Sequence, residues 1–252
     1  MSEPAPSQVR SDAIRQATAY LETMLEAPAA CRGQQLRGAG PVAEFETLLA
    51  LRCGFPHCLA TASATSGLLA LVAAADMKER RVLVPEGFWS GTRGALRFAG
   101  VQTLTAPTTE SGTLDLAAVG RLLGEGGIAA LVAGEAEHRH GTAAELRQLC
   151  HDSRCLYLDD SSCLPGISVP HHSPSLADVQ ILSFGPGKSL TLGEGGAVLT
   201  RSRTLHERLV ALSQHPERCL AEGIDCDPDQ LALNARIHPL AAVLGVMRLS
   251  GL

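Results

Sequence analysis

Lys188 stands in Ser183-Phe184-Gly185-Pro186-Gly187-Lys188, directly ahead of Gly193-Glu194-Gly195-Gly196 and a short apolar run from Ala197 to Leu199. Glycine and proline around it set one amine on a tight turn. A hydroxyl, Ser183, lies five residues upstream, and a carboxylate, Asp160, closes the earlier apolar run Cys155-Leu156-Tyr157-Leu158-Asp159-Asp160. An amine that forms a Schiff base, a carboxylate to partner a pyridinium nitrogen and hydroxyls to bind a phosphate are what pyridoxal 5'-phosphate (PLP) requires of a protein.

Two other phosphate chemistries fail on spacing. Gly187-Lys188-Ser189 matches the end of a P-loop, but the first glycine of that pattern falls on Leu182, and a strand rather than a helix follows the glycines. A dinucleotide fingerprint fails because Leu190 stands where the third glycine belongs. The small residues Ala62-Ser63-Ala64-Thr65-Ser66-Gly67 lead into an apolar helix, Leu68 to Ala75, where backbone N–H groups and the helix dipole favour an anion. An ordinary N-cap reads the same way. Trp89, the one tryptophan, follows Pro85-Glu86-Gly87-Phe88 at the end of an apolar run; its plane suits stacking on a pyridine ring, and equally core packing. Asp159-Asp160 also suits a turn, and His138-x-His140 and His171-His172 read as solvent-exposed loop residues.

The elements that must position these residues follow from periodicity. Ile14, Ala17, Tyr20, Leu21, Met24 and Leu25 recur at helical spacing, as do Val42, Phe45, Leu48 and Leu49, so two amphipathic helices precede the sheet. Short apolar runs at Cys58–Ala60, Val82–Val84, Ile128–Ala133, Cys155–Leu158, Val179–Leu182 and Ala197–Leu199 then alternate with helical or turn-rich segments. The pattern predicts an α/β fold, a mostly parallel sheet covered by helices on both faces. Ligands of such sheets collect beyond the carboxyl ends of the strands, where Asp160, Ser183 and Trp89 fall. Pro239, at a first helical position, opens a last helix from Leu240 to Leu249.

The 252 residues, 45% of them hydrophobic, suit a large core, and 25 glycines with 3% aromatics favour α/β over a β-sandwich. A net charge of -5 without a basic block argues against nucleic acid. The polar opening Met1 to Gln8 and the shortness of the longest apolar stretch, Leu68 to Ala75, argue against a secretory signal and a membrane span, so a cytoplasmic protein is expected. The eight cysteines, at 31, 53, 58, 150, 155, 163, 219 and 226, include no pair at two-residue spacing. Reduced thiols are expected and no metal, the Cys150-His151-Cys155 cluster included.

Taken in order, the small-residue turn, the aromatic, the strand-end Asp and Ser-x-x-x-x-Lys-x-x-x-x-Gly-Glu-Gly-Gly resemble the DegT/DnrJ-type sugar aminotransferases, a PLP family of the aspartate aminotransferase fold (fold type I). The resemblance runs from about Gly38 to Leu252, includes Gly40-Pro41-Val42-Ala43-Glu44-Phe45-Glu46, and is most specific at Gly193-Glu194-Gly195-Gly196-Ala197-Val198. It implies an N-terminal extension and helix over 1–37 and a PLP-binding large domain over 38–252. Lys188 is then similar to the lysine that forms the internal aldimine, Asp160 to the carboxylate that holds the ring nitrogen protonated, and Trp89 to the residue stacked on the ring. Ala64, Thr65 and Ser183 fall where the family binds the phosphate. Asn234 falls where an asparagine reaches that phosphate from the neighbouring subunit, which implies a homodimer with shared sites.

The pattern departs from the family in three places. Cys163 replaces the His or Gln that contacts the cofactor's ring oxygen, and Glu86-Gly87-Phe88 replaces the small polar approach to the aromatic. Family members continue past the helix matching Leu240–Leu249 into a small C-terminal domain, and the resemblance implies that this domain is absent here. The resemblance therefore implies an aminotransferase-like enzyme for an amine, amino acid or amino/keto sugar, free or carrier-bound. Two alternatives stand beside it: a non-catalytic or half-enzyme subunit whose partner supplies the missing domain, and PLP-dependent elimination, dehydration or racemisation.

Overall fold

The computed structural model describes residues 6–162, 175–227 and 233–250. Three helices, α1 (Pro6–Glu26), α2 (Pro28–Leu36) and α3 (Pro41–Cys53), precede the first strand, one more than the periodicity predicts. The short α2 carries no apolar repeat, but a proline in its first turn starts it. There follow β1 (His57–Thr61), α4 (Ala64–Ala74), β2 (Arg81–Pro85), α5 (Ser90–Phe98), β3 (Gln102–Ala106), α6 (Leu116–Gly124), β4 (Ile128–Ala133), α7 (Glu135–His140), α8 (Ala143–Asp152) and β5 (Leu156–Asp160). The chain continues through β6 (Val179–Ser183), β7 (Gly196–Thr200), α9 (Arg203–Ser213), α10 (Pro216–Glu222) and α11 (Pro239–Leu249).

The seven strands form one sheet in the order β1-β7-β6-β5-β4-β2-β3. β7 is antiparallel to both β1 and β6, and the other pairings are parallel, so every strand but β7 points the same way. The predicted mostly parallel α/β sheet is thus present. The strand that the sequence pattern missed is β3, Gln102-Thr103-Leu104-Thr105-Ala106, which sits at the sheet edge, largely exposed or half-buried, rather than forming a continuous apolar run.

Alternation along the strands divides the core between two faces. Leu59, Val82, Val84, Val132, Leu158, Ile181 and Val198 meet α4, α5 and α9 on one face. On the other, Ala60, Leu182, Ala197 and Leu199 pack under α3 and α11, and Leu83, Leu131 and Tyr157 pack under α6 and α8. A buried ion pair ties the first face's rim to the second. The Arg218 guanidinium of α10, only 3% exposed, donates two parallel bonds to Glu46 of α3, at 3.1 and 2.8 Å, and a third to Glu222 at 2.6 Å. Glu46 Oε1 also accepts the Ala60 N–H of β1 at 2.8 Å. Burial opposes the Arg218 charge, but the two carboxylates outweigh it and hold its pKa above the usual arginine range.

Candidate active site

Because six strands share one direction, the chain following β1, β2, β5 and β6 emerges along a single edge of the sheet. A cleft of about 270 Å³ opens there, lined by Ala64, Thr65, Trp89, Thr92, Asp160, Ser162, Ser183 and Lys188 among others. Six of the eight residues singled out from sequence therefore meet at one mouth: Ala64, Thr65, Trp89, Asp160, Ser183 and Lys188. Asn234 does not line it; the residue is exposed, with a left-handed φ of 51°, beside Ala235, whose N–H bonds to Ser213 O. Cys163 lies outside the described residues, as do His171 and His172.

The floor at Ala64 and Thr65 is the first turn of α4. Ser63 caps it: its Oγ accepts the Ser66 N–H at 3.0 Å, while Ser66 Oγ accepts the Ser63 N–H at 3.0 Å, a reciprocal box worth about 1 kcal/mol. The first-turn N–H groups of Ala64 and Thr65 have no acceptor within the helix and sit at its positive end. Gly196, the first residue of β7, lets this turn seat itself, because a Cβ there would lie 2.2 Å from Ala64 N and 2.4 Å from Ser63 C. Gly196 pairs with Thr61 on one side and Ser183 on the other, so this glycine joins the two strand ends nearest the α4 turn and the Lys188 loop.

Lys188 rides on the loop from 184 to 195. Two backbone bonds close the base of that loop, Phe184 N–H to Gly195 O and Leu192 N–H to Phe184 O, both 2.9 Å. Phe184, Leu190 and Leu192 root it in the core, and Phe184 meets Phe45 edge-on at 5.3 Å between centroids. Gly187 turns the chain at a left-handed φ of 78°, and the Lys188 N–H returns to Gly185 O at 3.3 Å. The lysine is half-buried on a framed turn.

Asp160 ends β5 with its carboxylate on the α5 side of the sheet. Thr92 Oγ1 donates to its Oδ2 at 2.6 Å, and the Ser162 N–H donates to Oδ1 at 3.2 Å. Thr92 is 6% exposed and was missed from sequence, although its place three residues after Trp89 at a helix start sets the two on one side. Trp89 itself is 67% exposed. Its indole leans over the first turn of α5, where a Cβ on Gly91 would come within 2.4 Å of Nε1. Phe88 packs instead onto Gly134 at the end of β4, where a Cβ would stand 2.8 Å from its ring.

Asp159 points to the opposite face, and there His138 corrects the sequence reading. Rather than lying in an exposed loop, His138 is carried by α7, and its Nε2 bonds Asp159 Oδ2 at 2.7 Å. The fully buried Asp159 also accepts from Ser161 at 2.7 Å, Ser175 at 2.6 Å and Gln180 at 3.2 Å. The bond to Asp159 raises the His138 pKa against the opposing effect of burial. His140 is exposed, as expected, but ends helix α7 rather than lying in a loop. Asp159 and Asp160 thus form the end of a strand, not a turn. Cys150 and Cys155 are buried free thiols, with His151 exposed between them. Among the described residues, no helix is long and apolar enough to cross a membrane.

A mostly parallel sheet with a helix start, a turn-borne lysine and a strand-end carboxylate at one edge is the arrangement set beside known proteins. The chain belongs to the DegT/DnrJ/EryC1/StrS aminotransferase family, whose model matches residues 20–252, beginning upstream of the Gly38 at which the sequence resemblance starts. Among curated relatives, the UDP-4-amino-4,6-dideoxy-N-acetyl-beta-L-altrosamine transaminase of Campylobacter jejuni is 28% identical over 232 residues, covering 88% of this chain and 60% of that protein. The crystal structure of DesI, obtained in the presence of its TDP-sugar product, superposes with a TM-score of 0.72 at 27% identity, covering 94% of this chain and 58% of that one. Helicobacter pylori PseC, an aminotransferase of pseudaminic acid biosynthesis, shares the fold with a TM-score of 0.73 at 22% identity, covering 99% of this chain and 64% of that one. The chain therefore spans about three fifths of the length of the relatives it matches.

Proposed function

We propose that residues 38–252 form the cofactor-binding unit of a PLP-dependent aminotransferase acting on an amino or keto sugar, as the sugar transaminases among its relatives do. The observation that carries this reading is the shared cleft: the first turn of α4, Asp160, and Ser183 with Lys188 come from three separate segments and line one mouth. The donor set fits the cofactor. Ala64 and Thr65 N–H groups at a helix start, with the hydroxyls of Thr65 and Ser183, suit a phosphate; Asp160, fixed by Thr92 and Ser162, suits a ring nitrogen; and the Trp89 indole offers a face for the ring. The missing Cβ of Gly196 is what allows the phosphate end to form.

Bound there, PLP supplies an electrophilic aldehyde and an electron-withdrawing ring that acidifies the carbon bearing a substrate amine. The protein's part is positional and acid–base. Lys188 provides the amine that holds the cofactor and, when free, moves a proton at its Nζ. Asp160 keeps a proton on the ring nitrogen, and Thr92 holds the Asp160 oxygen that it bonds in place. The exposed Asn234, which does not line its own cleft, supports a homodimer in which each chain's asparagine reaches the other's phosphate.

The test is a visible spectrum of the purified protein with PLP, before and after borohydride, beside Lys188→Ala. The reading predicts a chromophore that borohydride fixes on the peptide containing Lys188 and that the variant lacks. Wild-type protein with no reducible chromophore, or a Lys188→Ala protein that retains one, would overturn it.

A further inference from the structure

A second cavity, of about 470 Å³, opens between α4, α9 and the chain after α10, with Asp76, Glu207, Arg208, Asp225, Cys226 and Asp227 in its wall. It shares no lining residue with the PLP cleft. Gly223 ends α10 at a left-handed φ of 68°, its N–H turned back to the carbonyls of Cys219 and Leu220. The Ile224 N–H also returns to Cys219 O, at 2.8 Å. This reversal folds Cys226 back toward Cys219: Cys219 lies in the apolar cluster under α4 and α9, and Ile224 and Cys226 pack against that same cluster. Cys219 is 1% exposed, whereas Cys226 is half-buried and faces the cavity.

We propose that Cys219 and Cys226 are a reversible dithiol–disulfide pair, closed by exchange with a small-molecule disulfide admitted through this cavity. The Cys226 thiolate attacks one sulfur of the small disulfide; that S–S bond breaks, a small thiolate leaves, and Cys226 carries the other half. Cys219 then gives its proton to solvent and attacks the Cys226 sulfur, forming the intrachain bond and releasing the second small thiolate. One small disulfide is reduced to two thiols, and the protein pair loses two electrons and two protons. Cys226 reacts first because it alone faces the cavity. Burial, then the neighbouring Cys226 thiol, pushes the Cys219 thiol up to about 12, so closure speeds up as pH rises through the neutral range.

The cavity also selects by charge. Four carboxylates, Asp76, Glu207, Asp225 and Asp227, face one guanidinium, Arg208, which is already bonded through both oxygens of Asp76 at 2.8 Å. A cationic disulfide such as cystamine is therefore favoured over the anionic glutathione disulfide.

The test uses the full chain without added cofactor. Reduced protein is exposed to cystamine or to glutathione disulfide, quenched in acid, alkylated and mapped by peptide mass. A bridge between Cys219 and Cys226, formed about 10-fold faster with cystamine, reopened by dithiothreitol and faster at higher pH, is the expected result. Cys219→Ser should stop at an adduct on Cys226. Wild-type protein in which both thiols remain alkylatable after long exposure, or in which the Cys226 adduct persists without closing, overturns the pair, and this arm does not depend on the variant folding. Equal rates with the two reagents overturn the charge selection.

Discussion

Gly196→Ala is the sharpest perturbation of the cleft, because the single added carbon is aimed at backbone rather than at a side chain that could swing away. The new Cβ would lie 2.2 Å from Ala64 N and 2.4 Å from Ser63 C, against ordinary contacts that begin at 3.4 Å. Relief requires about 1 Å of movement between β7 and the start of α4, and β7 cannot yield easily since Gly196 is paired on both sides, to Thr61 and Ser183. Overpacking of this kind costs about 1–3 kcal/mol, which for a chain of this size lowers the melting temperature by roughly 2–10 °C. The functional loss should be larger than the stability loss, because a displacement of about 1 Å in a positioning group is worth on the order of 100-fold. The assay is a PLP titration followed by visible absorbance, paired with thermal unfolding. Gly94→Ala serves as the control: it lies inside α5, with nothing within 4 Å of an added Cβ, and alanine there should stabilise by about 0.5–1 kcal/mol. A Gly196→Ala protein that binds PLP as the wild type does would refute the seating of the phosphate end against β7.

Three further outcomes follow from the geometry. Thr92→Val removes the donor to Asp160 Oδ2 and should weaken PLP binding by about 10- to 100-fold, the worth of a hydrogen bond to a charged group, while Thr92→Ser restores most of it; equal affinity for Val and Ser would deny Thr92 its orienting role. His138 has a folded pKa raised above 6.5 by Asp159, so its contribution is fully present below pH 6.5 and is lost as pH rises through the folded value. The stability gap between wild type and His138→Gln, read from denaturant midpoints, should therefore shrink as pH rises from 6 upward, and a gap independent of pH would contradict the pairing. Arg218→Ala leaves Glu46 buried without its partner and should cost about 3–5 kcal/mol by chemical denaturation; a loss below about 1 kcal/mol would mean that Glu46 finds another donor or a proton there.

The sequence made the site more legible than the fold's periphery, and for a physical reason. Lys188, Asp160, Ser183 and the Ala64–Thr65 turn each follow a buried strand, and buried parallel strands announce themselves as continuous apolar runs. β3 is an edge strand with polar threonines, and α2 is a short helix started by proline, so neither leaves a strong periodic trace. Thr92 and His138 were opaque because their roles depend on what lies across the sheet: Thr92 meets Asp160 from α5, 68 positions away, and His138 meets Asp159 from α7. Adjacent residues in a strand face opposite sides, so the Asp159-Asp160 pair divides into one carboxylate at the cleft and one in a closed polar network. No spacing rule on a single sequence distinguishes that from a turn.

The one antiparallel strand explains why the lysine stays at the cleft. A parallel connection from β6 would have carried the chain to the far end of the sheet before the next strand began, and the residues between would have crossed a face under a helix. Because β7 runs against β6, the connection from 184 to 195 begins and ends on the same edge, where β1, β2 and β5 also terminate. The reversal thus does two things at once. It keeps Lys188 on a short, core-rooted loop at the mouth, and it brings the first residue of β7 against the first turn of α4, where only glycine fits without displacing backbone. The placement of the lysine and the seating of the α4 first turn are therefore set by one topological choice, and a substitution at Gly196 should disturb both together.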